Sequence, residues 1–107
     1  MEQRKSRRFK LQLPLSITRS GAERVALAGL TTDISSGGVL FTTEREPDFK
    51  GPIEYVVTLT HQGAQVINLR CMGKILRTDP MEFGREEGPR SYRVAATLER
   101  YEFMRGR

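Results

Sequence analysis

The chain has 107 residues, 37% hydrophobic and 29% charged, with one Cys, one His and no Trp. That length supports one core and leaves no room for two lobes around a cleft, and no run approaches the ~20 apolar residues of a membrane-spanning helix. The charged start has no apolar segment behind it, and the lone Cys71 and His61 rule out a disulfide framework and a structural zinc site, so a soluble, cytoplasmic protein is expected.

Residues 1–10 carry Arg4, Lys5, Arg7, Arg8 and Lys10 against Glu2, and residues 100–107 carry three Arg against Glu102. The span between them holds almost equal numbers of acids and bases, so the formal net charge of +5 belongs to the two ends. A duplex binder spreads positive charge over a face of its body. A short arginine-rich arm suits a compact anion better, because the planar guanidinium pairs bidentately with phosphate or a guanine edge. Residues 1–10 are therefore expected to be a flexible basic arm and residues 11–107 one domain.

From Leu11 the apolar residues alternate through Leu13, Leu15 and Ile17, the period of a strand with one buried face. Pro14 cannot donate to a ladder, which predicts an edge or a bulge there. After a turn over residues 19–23, Val25 and Leu27 open a second strand towards Thr32, with Gly29 marking a bulge or a close backbone approach. The run 33–38 reads as a turn, residues 39–43 as a short third strand, and the polar stretch 44–52 as a loop. Residues 53–60 are rich in β-branched and aromatic side chains and predict a fourth strand. The segment 61–64 is a hairpin connection. A fifth strand from Val66 puts Ile67, Leu69, Cys71, Gly73 and Ile75 on one face. Residues 78–90 read as the longest loop. A sixth strand follows with Tyr92, Val94, Ala96 and Leu98 inward, and residues 98–104 are expected to form one or two helical turns. Six short strands predict a small antiparallel barrel, since closure removes the exposed edges.

Two short segments carry chemistry. The first is the pair Arg4 and Arg8 in an R-x-x-x-R spacing, of which about two arise by chance in a chain this rich in Arg; by itself it marks a solvated basic tail. The second is Asp33-Ile34-Ser35-Ser36-Gly37-Gly38, a D-x-S-x-x-G pattern expected about once in a hundred such chains, or several times more often once turn preferences are counted. The Asp33 carboxylate is an acceptor for the N1 and N2 donors of a guanine. Ser35 serves a phosphate or the backbone, and Gly37 and Gly38 let the main chain approach a flat base. Arg4 and Arg8 match phosphate oxygens or guanine O6 and N7. A ligand with guanines on a compact diester core satisfies both segments.

Together these residues resemble a PilZ domain. The R-x-x-x-R arm, the Leu13-Pro14-Leu15-Ser16-Ile17 strand, the D-x-S-x-x-G run and the Val39-Leu40-Phe41 strand lie in the family's order, and the similarity spans residues 3 to about 103. The resemblance implies a six-stranded antiparallel split barrel that binds the bacterial second messenger cyclic di-GMP, including as an intercalated dimer. It implies ligand contacts from Arg4, Arg8, Asp33, Ser35 and Gly38, with Lys5, Arg7 and Gly37 as additional contacts. Two departures stand out. Gln3 occupies a position where many members have a further Arg, and Ala95-Ala96-Thr97-Leu98 replaces a Gly-x-x-Phe ending of the last strand. Ligand ordering of the arm is expected to signal to an unidentified downstream protein.

An enzyme is not expected. His61 has no partner, Cys71 lies on an inward face, and residues 35–38 form neither a nucleophile elbow nor a P-loop. A single-stranded nucleic-acid binder uses outward aromatics for stacking, whereas few of the eight aromatics here fall on predicted outward faces and the body is nearly neutral. A PilZ-like adaptor that binds only protein and a single-stranded nucleic-acid-binding barrel are the alternatives.

Overall fold

The computed structural model describes residues 11–48, 51–60, 66–81 and 91–105. Arg4, Lys5, Arg7, Arg8, His61 and the stretch 82–90 of the expected long loop lie outside them.

Seven strands form one antiparallel sheet: β1 (Pro14–Ser20), β2 (Glu23–Ser35), β3 (Gly38–Thr43), β4 (Pro52–Thr60), β5 (Val66–Met81), β6 (Ser91–Thr97) and β7 (Arg100–Arg105). Their order is β4-β1-β2-β3-β6-β5-β7, and β4 also pairs with β5, so six strands close into a ring. This is the barrel that the period-two runs predict.

The alternation decides which side chains fill it. Leu15 and Ile17 of β1 face Tyr55 and Val57 of β4, all at most 3% exposed. Cys71, Val94, Ala96, Phe41, Val39, Leu27 and Ile53 complete the buried cluster. The stacked rings of Phe41 and Tyr55, 6.3 Å between centroids, bridge opposite walls. Tyr55 lends its buried hydroxyl a partner by donating to the Thr97 carbonyl at 2.8 Å, as a buried phenol requires. On the outer face of β1, β4, β5 and β7 a ladder of charges runs Arg19–Glu54–Arg70–Glu102, closest at 2.7 Å between Arg70 and Glu102.

Four expectations change. Pro14 marks neither an edge nor a bulge: β1 is paired on both sides, and the proline stands at its first residue, where the β4 ladder has not begun. A register shift does occur in β1, but between Ile17 and Arg19. The run 33–38 is not a turn throughout, because Asp33 and Ser35 are still in β2 and Gly38 is already in β3. Residues 78–81 are not loop; they extend β5 against β6, with Met81 opposite Ser91.

The fourth correction is the C-terminus. Residues 100–105 form β7, not helical turns. β6 pairs with the second half of β5 and β7 with the first half, along the same edge, so the chain simply continues antiparallel to β5. An isolated helical turn makes few hydrogen bonds for the residues it orders. The open edge of β5 offers this segment a full ladder instead.

Gly29 and Gly73 fit the two tight approaches in the ring. A Cβ on Gly29 would lie 2.4 Å from the Thr42 carbonyl oxygen, and one on Gly73 would lie 1.9 Å from that of Thr97. Close approach, not a bulge, is what Gly29 marks.

Candidate functional site

The D-x-S-x-x-G segment forms one corner of the barrel. Only Ser36 and Gly37 make the turn, and Ser35 pairs with Gly38 across it. The Ser35 hydroxyl is engaged within the corner: it accepts from the Gly37 N–H and donates to the Gly38 carbonyl, each at 3.3 Å. The corner is tied to the end of β6 by the Leu98 N–H, which donates to the Gly37 carbonyl at 3.1 Å. A Cβ on Gly38 would stand 3.0 Å from the Ala96 carbonyl oxygen, whereas one on Gly37 meets nothing within 4 Å. Gly38 thus has a packing reason to be small, and Gly37 faces open space.

Asp33 owes its direction to a bulge. Thr31 pairs with Phe41, but Asp33 pairs with Leu40, so β2 carries one extra residue, Thr32. In an unbroken strand residues 31 and 33 would share a face, and Thr31 is fully buried with Phe41. The bulge turns Asp33 and Ser35 to the outer surface and returns Ile34 to the core opposite Val39. Thr32 holds this geometry by donating its hydroxyl to the Leu40 carbonyl at 3.3 Å. Among the described residues the ion pairs involve other acids and leave the Asp33 carboxylate out. Next to it on the outer face lie half-buried Leu40 and Ala95, paired across β3 and β6.

The start of the domain is fastened beside this corner. Thr31 N–H donates to the Leu13 carbonyl and Leu13 N–H to Thr31 Oγ1, both at 2.9 Å. The same hydroxyl donates to the Leu11 carbonyl. Residues 11–13 are therefore bound to β2 two positions before Asp33, a separation of roughly 7 Å along a strand. An extended chain spans at most ~3.3–3.6 Å per residue. In sequence Arg8 precedes Leu11 by three residues, a chain reach of at most about 10 Å, and Arg4 precedes it by seven, a reach of at most about 25 Å.

The sequence reading found the corner but missed Thr31 and Thr32. A signal was present: the inward set Val25, Leu27, Gly29, Thr31 resumes at Ile34, a slip of one residue in a period of two.

A family model for the PilZ domain matches residues 2–101. The chain belongs to the PilZ family. Comparison with curated proteins finds no match. PilZ domains are non-catalytic receptor domains, and the family typically binds cyclic di-GMP. Cys71 is fully buried, and desolvation pushes its thiol up to about 12, which holds it in the unreactive protonated form. An outer groove over β1, β2 and β3, walled by Ser16, Ala28, Leu30 and Thr42, touches none of the described motif residues. No helix among the described residues is long and apolar enough to cross a membrane.

Proposed function

We propose that this PilZ domain is a cytoplasmic cyclic di-GMP receptor that closes the Arg4 and Arg8 guanidiniums over a ligand seated on the Asp33–Gly38 corner. The observation that carries the reading is the fastening of residues 11–13 to Thr31, which starts the arginine-bearing segment two residues from Asp33. The bulge at Thr32 supports it, because it leaves an outward carboxylate to accept from guanine N1 and N2. Leu40 and Ala95 supply apolar surface for a purine face beside it. Gly38, and Gly37 with its open approach, line the corner; Ser35 holds its shape and keeps a lone pair for a ligand donor. Lys5 and Arg7 add positive charge against the second phosphate. A ligand-ordered arm then presents a new surface to a downstream protein.

Calorimetry with cyclic di-GMP tests this on the wild type, Arg8→Ala and Asp33→Ala. The wild type should bind with micromolar or better affinity. Each substitution should weaken binding by about tenfold or more, as loss of a charge-assisted bond worth ~1.5–3 kcal/mol implies. In the same samples, amide exchange over residues 1–10 should slow when ligand is added. Equal affinities for all three proteins would overturn the site, and no binding by the wild type would leave the protein-binding adaptor as the reading.

A further inference from the structure

Among the described residues β7 alone is paired along only one edge. It holds neither proline nor glycine, so every residue is competent to join a further ladder. Tyr101 and Phe103 stand opposite Cys71 and Leu69, on the sheet face that lines the barrel interior. They are nevertheless 59% and 65% exposed, because β7 lies outside the closed ring. Their rings meet edge to face, 6.1 Å between centroids. Arg100 and Glu102 occupy the outer face, where Arg70 holds Glu102.

We propose that two copies of this chain join antiparallel through their β7 edges, about a two-fold axis that passes at Glu102. Self-complementarity selects a second copy over a foreign strand. Across such an axis facing residues share a sheet face, so the axis must pass at a residue and each position i meets its mirror about that residue. With the axis at Glu102, Tyr101 of each copy faces the partner's Phe103, giving two cross-strand aromatic pairs. Arg100 then lies diagonal to the partner's Glu102 and its aliphatic stem faces the partner's Met104. The two Glu102 carboxylates face each other at the axis, a like-charge contact that is offset because Arg70 of the same copy already pairs with each at 2.7 Å. An axis at Phe103 sets Glu102 against Met104 and gives one aromatic pair. The contact is small, so the dimer is reversible, with a dissociation constant on the order of 10–100 μM.

Sedimentation equilibrium of the ligand-free chain should show a monomer–dimer equilibrium, and Phe103→Lys should weaken it by about tenfold or more. Disulfide trapping reads the register. Across the axis two copies of residue 102 are about 4.5–5.5 Å apart at Cα, within disulfide range, whereas two copies of residue 104 are over ~12 Å apart. Under a mild oxidant Glu102→Cys should give covalent dimer and Met104→Cys none, with buried Cys71 left in place as the background. A monomer at every concentration up to about 1 mM, well above that dissociation constant, would overturn the proposal. So would a dimer indifferent to Phe103→Lys, or trapping that does not distinguish positions 102 and 104.

Discussion

Thr31 shows how one side chain links the core to the site. Its methyl side belongs to the fully buried interior, while its hydroxyl accepts from Leu13 and donates to Leu11, holding the start of the domain against β2. A Thr31→Val substitution keeps the shape and removes both bonds, leaving the Leu13 N–H without its partner. Urea unfolding should register a loss of about 1–3 kcal/mol, the cost of an unpaired polar group. Calorimetry should show weaker cyclic di-GMP binding, although Thr31 is buried and makes no ligand contact in the proposed site. Unchanged affinity in a destabilised protein would separate the anchor from the site. Asp33 illustrates the opposite case: a residue whose chemistry is evident from its type, but whose direction depends on its neighbour Thr32.

At the scale of elements, the long β5 is the hinge of the architecture. It serves β4 along one edge and β6 then β7 along the other, and it changes partner near Gly73. There Thr97 packs against the glycine, accepts from the Lys74 N–H at 2.9 Å and donates to Glu99 at 2.8 Å, and its carbonyl takes the Tyr55 hydroxyl. A methyl group at position 73 would collide with backbone, which cannot rotate away. Gly73→Ala should therefore cost about 3 kcal/mol in denaturant unfolding, while Gly37→Ala, open on all sides, should change stability by under about 0.5 kcal/mol. Similar losses for the two variants would contradict this account of the junction. The helical turns expected at 98–104 failed here for the same reason. The alternation Tyr101, Phe103 against Glu102, Met104 also fits a strand, and the edge that decides the matter comes from β5, some thirty residues earlier.

The whole molecule has a predictable response to alkali. Burial raises the Cys71 thiol from its ordinary 9.0 to about 12, and burial together with nearby Cys71 and Glu99 raises the Tyr55 hydroxyl as well. In this window the unfolded chain releases protons that the folded one retains, so unfolding becomes more favourable as pH rises. Stability from Cys71 should be intact below pH 9 and decline towards 12. Urea unfolding of the wild type across that range should follow this course. Cys71→Ala should begin its decline later, where only Tyr55 remains. Identical pH profiles for the two proteins would rule out the buried thiol as the source.

Most of the barrel was legible in the chain because its strands obey a local rule. A period of two places Leu15, Ile17, Cys71, Val94 and Ala96 inward, and all five are buried. The chemistry of Arg4, Arg8 and Asp33 was legible for a similar reason, since charge and hydrogen-bonding capacity belong to the side chain itself. Tertiary structure alone decided what depends on distant partners. It turned Asp33 outward through the bulge, fastened residues 11–13 beside it, lengthened β5 to Met81 and made a strand of residues 100–105. Each of these is settled by where a backbone hydrogen bond finds its mate, and that mate lies in a strand remote in sequence, outside the reach of any local pattern.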